Sequence, residues 1–282
     1  MMQAEEMQFL NVLSTELESQ SIKLPSFPDA VIQIRNALES EDCDIQKISK
    51  LASLETALAS RLLQSANSSF YNPAGIAVND LAAAVMRLGI KEVRNMAIAL
   101  AVEQIFLAKE HTAISRELAI LWRRSVALSA VAAVIAKRCA QPQVDPEKAF
   151  LCGLLHETGK LYMVTKAADF PGVTVDIEAR SDSGGSWHAH VGRAIAEGWG
   201  FSEEIVRTFN PADELSEGGA AMKPDLIDVV YAAELVCAAT AEAPMEFDVL
   251  SVRRLHLTPE KIAELQPEIA KRMQSMTQTL TG

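Results

Sequence analysis

The chain has 282 residues, of which 49% are hydrophobic, enough for a large core and for one large or two ordinary domains. Its net charge of −11 and its pI near 5 disfavour binding to a nucleic-acid backbone, which requires a basic surface. The longest apolar run, 126–136, is far shorter than the roughly 20 residues of a membrane span. The amino terminus is acidic where an export signal is basic, and the four cysteines form no CxxC pair, so we expect a cytoplasmic protein with reduced core thiols.

Helical periodicity dominates the first hundred residues, and no strand-like alternation of apolar and polar residues occurs there. Asp44 is a predicted amino-terminal cap, and Gly89 is a predicted left-handed carboxy-terminal cap. The predicted helices cover about 2–20, 28–38, 45–54, 56–66, 80–88 and 92–106.

The glycine-containing turn at 88–90 joins two of these helices, as in a helix-turn-helix. Only Arg87, Lys91 and Arg94 are basic there, and the second helix is too apolar to lie exposed in a DNA groove. Packing into the core is therefore the favoured interpretation of this helix pair.

The rest of the chain is also predicted to be helical, over about 116–138, 146–162, 187–199, 202–209, 226–241 and 258–282. Asp145 and Pro146 form a strong helix start signal. The connection 169–186 is long for a compact domain, which predicts a lid or a surface loop with Gly184 and Gly185 as hinges. The last helix is predicted to be exposed and amphipathic.

An ionisable pair, His156 and Glu157, interrupts the apolar pattern of the stretch 150–162. At about 100° of turn per residue, Glu157 falls among Phe150, Leu154 and Leu161, and His156 lies on the shoulder of that face. A core helix with one satisfied histidine and one capping or paired glutamate would explain this pattern equally well.

Two further helices place charged residues on apolar faces. Arg124 is predicted to be half-buried, whereas Arg123 points to solvent, and Glu234 points inward on its own helix. Leaving such groups unpaired in the core would cost several kcal/mol. We therefore expect Arg124, Glu157 and Glu234 to meet.

The chain resembles the HD phosphohydrolase superfamily in the strings LWRRSVALSAVAAVIAK, GLLHETGKL, HVGRAIAEGWGFSEEIV and VVYAAELV. Its amino-terminal half carries LPSFPDAV, ALASRLLQSANSSFYNP and LAAAVMRLGIKEVRNMAIALA, which resemble the HDOD family, the HD-related output domain of bacterial signalling proteins. This resemblance implies an all-α fold, with an amino-terminal helical subdomain (1–110) packed on an HD-like helical subdomain (111–282) that includes a carboxy-terminal helical tail.

The resemblance also implies a site. Catalytic members bind a divalent metal through a histidine from the upstream helix, a His-Asp doublet and a late aspartate, and the metal activates water for phosphoester hydrolysis. Here Arg124 replaces the first histidine, Glu157 replaces the aspartate of the doublet, Glu234 replaces the late aspartate, and only His156 is retained. We call these four positions the degenerate HD site.

A guanidinium has no lone pair to donate, so Arg124 removes a ligand and adds repulsion. We therefore predict no catalytic residue, no metal and no cofactor. His190, which matches a further histidine of many HD relatives, and Lys160 are accessory positions, while a later histidine pair of the family reads Asn210-Pro211 here.

Two functions follow as hypotheses. The first is a regulatory signalling module that acts on a protein partner or a small, nucleotide-linked ligand, with no membrane and no nucleic acid involved. The second is a divergent metal-dependent phosphohydrolase acting on a nucleotide or another phosphoester. The sequence does not define an oligomeric state.

Overall fold

The computed structural model describes residues 2–18, 44–107, 114–170, 172–175, 187–210, 222–239 and 245–280, and all statements below concern these residues. They form helices and connecting turns, with no strand among them, so the predicted all-α fold is confirmed. The α-helices are α1 (Met2–Glu18), α2 (Ile45–Ala52), α3 (Thr56–Asn67), α4 (Leu81–Leu88), α5 (Ile90–Leu107), α6 (Ser115–Cys139), α7 (Pro146–Leu155), α8 (Thr158–Ala167), α9 (Trp187–Gly198), α10 (Glu203–Val206), α11 (Leu226–Ala238), α12 (Leu250–Arg254) and α13 (Pro259–Leu280).

The helix starts follow the capping residues of the sequence. The Asp44 side chain accepts a hydrogen bond from the backbone N–H of Lys47 at 2.8 Å, and Asp145 caps α7, with Pro146 at its first position. Such caps satisfy N–H groups that lack a partner inside the helix. Gly89 ends α4 with φ +82, a backbone conformation that side chains disfavour, although its ψ of 152 is extended rather than left-handed helical.

The chain forms two compact units, Met1–Pro25 with Phe106–Gln266 and Ser26–Ile105 with Pro267–Gly282. The predicted boundary at 110/111 lies close to the crossing between Ile105 and Phe106. Both chain ends, however, belong to the opposite unit from the one predicted, because each end makes polar contacts that the periodicity of the sequence does not reveal.

At the amino-terminal end, Glu16 of α1 contacts α8. The Tyr162 hydroxyl donates to Glu16 Oε2 at 2.8 Å, and Lys166 Nζ lies 2.7 Å from Glu16 Oε1. The ring of Phe9 also packs edge-on against Phe170, with centroids 5.5 Å apart. These contacts make α1 part of the unit of Met1–Pro25 and Phe106–Gln266, which we call the HD-like unit.

At the other end, Arg272 of α13 is buried and lies 3.5 Å from Glu92 of α5, with its guanidinium over the ring of Phe70. Ser275 donates a hydrogen bond to Ser68 at 3.0 Å. The prediction of an exposed last helix was therefore wrong for one face of α13, which packs in the unit of Ser26–Ile105 and Pro267–Gly282.

Helix α6 is the central helix of the HD-like unit. Among the described helices it alone is long and apolar enough to cross a membrane, yet 72% of its apolar window is buried within the protein. Burial of this kind is typical of the core helix of a globular domain. In the other unit, the apolar α5 is equally buried from Met96 to Val102, which confirms packing over the helix-turn-helix interpretation. The predicted helix 28–38, the hinge glycines 184 and 185, and Cys43 lie outside the described residues.

Candidate functional site

Two glycines bring the helices of the HD-like unit close together around the His156-Glu157 doublet. A Cβ on Gly153 of α7 would lie 2.7 Å from the backbone of Ser129 on α6. A Cβ on Gly159 of α8 would lie 1.9 Å from the carbonyl oxygen of His188 on α9. Since side chains at these positions would clash with backbone, the glycines allow two neighbouring helices, α6 and α9, to pack closely on either side of the doublet.

The doublet lies at a break between two helices. Helix α7 ends at Leu155, and α8 begins at Thr158, whose hydroxyl donates to the Leu155 carbonyl at 2.7 Å. The prediction of one continuous helix over 146–162 was therefore wrong. His156 keeps helical dihedral angles, but Glu157 has φ −86 and ψ 2, so the helical geometry is interrupted at Glu157. Both side chains are buried, as predicted for Glu157.

Helix α11 presents Glu234 and is held at its start by an internal ion pair. Asp225 and Asp228 form a capping box, and Asp228 Oδ1 lies 3.3 Å from a guanidinium nitrogen of Arg254, with both side chains almost fully buried. Burial raises the pKa of Asp228, while its hydrogen bonds and Arg254 act in the opposite direction. A helix fixed at its first turn in this way carries Glu234 into the core two turns later.

The two acids of the degenerate HD site each face a basic side chain. Lys160 Nζ lies 3.1 Å from Glu157 Oε2, and their side chains are only 5% and 7% exposed. His156 Nε2 lies 3.7 Å from Glu234 Oε2, and the imidazole stacks on the ring of Phe209, with centroids 6.3 Å apart. The other ring nitrogen of His156, Nδ1, is buried without a hydrogen-bond partner in the described part of the chain.

Cys237 shows that the site extends one turn beyond Glu234. Desolvation by the surrounding protein raises the pKa of its thiol to about 12, with Glu157 and Glu234 adding to the increase and Arg124 opposing it. All three charged groups therefore lie close enough to Cys237 to influence its thiol.

Cys237 is exposed as a residue, unlike the predicted core thiol, yet the surrounding protein lies close enough to its sulfur atom to raise the pKa. The sequence does contain a signal for the position of Cys237 near the site. Cys237 follows Glu234 by three residues, and this spacing puts both residues on one face of the helix.

The donor set of this neighbourhood does not fit a divalent metal. Arg124 and Lys160 carry one positive charge each, Glu157 and Glu234 one negative charge each, and the sum is zero before any metal is added. Within the described ranges, no group of three or more His, Cys, Asp or Glu side chains is arranged to hold a metal ion. A catalytic metal needs at least three donors and an open position, and here one carboxylate already contacts an ammonium group.

The model of the HDOD domain matches residues 24–214 of the chain. The chain belongs to the HDOD family. Among solved structures, an HDOD domain protein of unknown function from Geobacter sulfurreducens is 23% identical to this chain, with a TM-score of 0.67. The match covers 95% of this chain and 97% of the Geobacter protein. A Shewanella amazonensis protein named "Putative metal-dependent phosphohydrolase" is 21% identical, and the match covers 98% of this chain and 99% of that protein, with a TM-score of 0.75.

A Marinobacter aquaeolei protein named "Putative signal transduction protein" is 19% identical over 99% of this chain and 66% of its own, with a TM-score of 0.67. An uncharacterized protein of Treponema pallidum is 23% identical over 235 residues, which are 79% of this chain. The chain spans 44% of the length of that curated relative.

The two accessory positions, Lys160 and His190, have different surroundings in the structure. Lys160 lies next to the degenerate HD site, where it contacts Glu157. His190 is exposed and lines a cavity between α1 and α9, whereas His188 is buried on the same helix, with its carbonyl oxygen against α8. The side chains two apart diverge, as expected for a helix, and the buried histidine of α9 is His188 rather than His190.

Proposed function

We propose that this HDOD protein is a regulatory signalling module that acts by binding a protein partner or a small ligand and does not hydrolyse phosphoesters. The observation that carries this proposal is the ammonium group of Lys160 at 3.1 Å from Glu157 in a buried environment. The acid that stands at a metal-ligand position thus has a cation supplied by the chain itself.

Charge supports the same proposal. A divalent metal in a neutral, buried cluster would bring two uncompensated positive charges next to Lys160 and Arg124, and repulsion of this kind is strong where solvent screening is weak. Hydrolysis assisted by a metal also requires a water bound at an open coordination position. One histidine and two glutamates beside two cations provide neither the negative charge that would hold a divalent metal nor an open coordination position for water.

We further infer that Arg124 stands in for the metal cation and neutralises Glu157 together with Glu234. Both acids and Arg124 act on the Cys237 thiol, and a planar guanidinium can donate hydrogen bonds to two carboxylates at once. In this account the substitutions at the degenerate HD site compensate one another, because Arg124 removes a metal ligand and supplies a positive charge for the two glutamates.

The second candidate function is a divergent metal-dependent phosphohydrolase. It is favoured by His156, which is retained, buried and within 3.7 Å of a carboxylate oxygen of Glu234. The acidic chain with its buried cluster would then act on a nucleotide or another phosphoester.

A turnover assay separates the two functions. We expect no release of product from phosphomonoesters, phosphodiesters or cyclic dinucleotides when manganese or magnesium is added to the purified full chain. Wild type, His156→Ala and the surface variant Lys148→Met are assayed side by side, so that a contaminating enzyme would give equal activity in all three. Activity present in wild type and Lys148→Met but absent in His156→Ala would overturn the regulatory proposal.

A further inference from the structure

A cavity of about 520 Å³ lies between α1 and α9 in the HD-like unit. It is lined by Leu17 and Glu18 of α1 and by Trp187, His190, Arg193 and Glu197 of α9. Its volume lies within the range of about 300–1,000 Å³ that is typical of sites for small molecules. None of these residues belongs to the degenerate HD site.

Both walls of the cavity are held by the same helix, α8. On one side, Glu16 accepts a hydrogen bond from Tyr162 and contacts Lys166, which fixes the last turns of α1. On the other side, Gly159 and Gly192 allow α9 to approach α8 so closely that a Cβ on Gly159 would lie 2.8 Å from the backbone nitrogen of Gly192. The cavity is therefore formed by packed helices before any ligand binds.

The charges of the lining favour a cation. Arg193 lies 3.2 Å from a carboxylate oxygen of Glu197 and 3.2 Å from one of Glu203, so its guanidinium is shared by two acids. Glu18 is exposed and accepts a hydrogen bond from the Ser14 hydroxyl at 3.0 Å. An anionic ligand such as a phosphate would have to displace these carboxylates from Arg193, whereas an ammonium group would be attracted by Glu18 and by the one negative charge that remains when two acids share one guanidinium.

The apolar part of the lining favours a flat ring. Trp187, which is partly exposed, and Leu17 both line the cavity, so a ligand meets an indole ring and an aliphatic side chain there. An indole face also attracts cations, by about 0.5–1 kcal/mol at exposed sites. Ring and charge can therefore be recognised together by neighbouring side chains.

We propose that this cavity binds a small aromatic amine, with its ring against Trp187 and Leu17 and its ammonium group toward Glu18 and Glu197. The proposal deepens the proposed function, on which it rests, by naming the chemical class of a regulatory ligand and its site.

The test uses three probes with one ring and different charges: tryptamine (cation), tryptophol (neutral) and indole-3-acetate (anion). Their binding to the purified full chain is measured by isothermal titration calorimetry at low ionic strength. Tryptamine is expected to bind about two- to fivefold more tightly than tryptophol, as a partly exposed ion pair allows, and indole-3-acetate most weakly. Equal or tighter binding of indole-3-acetate, or no binding of any probe at low millimolar concentration, would overturn the assignment.

Variants locate the two parts of the site. Glu18→Gln should remove the preference for tryptamine over tryptophol, whereas Glu6→Gln, which makes the same charge change at an exposed position of α1, should leave it unchanged. Trp187→Ala should weaken all three probes, and Trp187→Phe should keep most of the affinity, with a thermal unfolding scan of each variant to verify folding. Unchanged preference in Glu18→Gln would refute the ammonium contact.

The cavity and the degenerate HD site fail separately in these experiments. If the wild-type chain bound none of the three probes and showed no phosphoester turnover, the cavity assignment would be refuted and the regulatory function would stand. Turnover that requires His156, with probe binding intact, would refute the regulatory function instead.

Discussion

Replacement of Lys160 by methionine measures how strongly the chain's own cation stabilises the degenerate HD site. The substitution keeps an unbranched, flexible side chain of similar size but removes the ammonium group that lies 3.1 Å from Glu157 Oε2. At an effective dielectric constant of about 20, two unit charges at this distance attract by about 5 kcal/mol. Removing one partner of a buried pair typically costs about 3–5 kcal/mol, so we expect the free energy of unfolding to fall by about 3 kcal/mol.

Equilibrium unfolding in urea, followed by circular dichroism, gives this difference. The matched control is Lys148→Met, because Lys148 forms a pair of 2.6 Å with Glu204 in which the side chains are 36% and 56% exposed. An exposed pair of this kind contributes about 0–1 kcal/mol. The double variant with Glu157→Gln should recover at least about 2 kcal/mol of the loss, because it removes the unpaired charge.

Two outcomes would refute the reasoning. If Lys160→Met lost no more stability than Lys148→Met, the buried pair would not stabilise the fold. If the effects of Lys160→Met and Glu157→Gln were additive, the two side chains would not interact, and the internal cation would no longer explain the departure from the metal-binding pattern.

Three further predictions concern the same unit. At pH 9, Cys237 should react slowly with iodoacetamide because its pKa is raised to about 12. Glu157→Gln should speed this reaction, and Arg124→Met should slow it, as measured by mass spectrometry. Equal rates in wild type and both variants would contradict an influence of these charges on the thiol. Burial, and then the hydrogen bond to Glu16, raise the pKa of Tyr162 above its usual value near 10, so the stability from this phenol is present below that pH and is lost as the pH rises further. Tyr162→Phe should therefore lower the free energy of unfolding at neutral pH by about 1 kcal/mol, and the variant should lose less stability than wild type above about pH 10. Urea unfolding at several pH values measures this, and the same pH dependence in wild type and variant would contradict it. Arg124→His, combined with aspartate at both buried glutamates of the degenerate HD site, should create a manganese or iron site detectable by calorimetry, and no binding would refute the account of Arg124 as the metal's replacement.

The sequence was sufficient for capping residues of the helices and for the inward positions of the two glutamates. Asp44 and Asp145 cap the helices that their chemistry predicts, because capping is a local interaction between a side chain and the next few N–H groups. The inward positions of Glu157 and Glu234 followed from helical periodicity and are confirmed by their burial.

The break between α7 and α8 could not be found by periodicity. His156 has helical dihedral angles, and the helix resumes at Thr158, so apolar spacing continues through the break almost unchanged. The cause is tertiary, because Gly153 and Gly159 accept the backbones of other helices on either side of the doublet. Long-range polar contacts such as Glu92 with Arg272 were equally hidden, since partners so far apart in sequence leave no local pattern.

The metal content of the purified full chain tests the central claim most directly. Elemental analysis of wild type and of His156→Ala, prepared side by side, should find manganese, iron and zinc far below one equivalent, and equal in both. Near-stoichiometric metal in wild type that is lost in His156→Ala would contradict a site balanced by Lys160 and Arg124 and would support the phosphohydrolase.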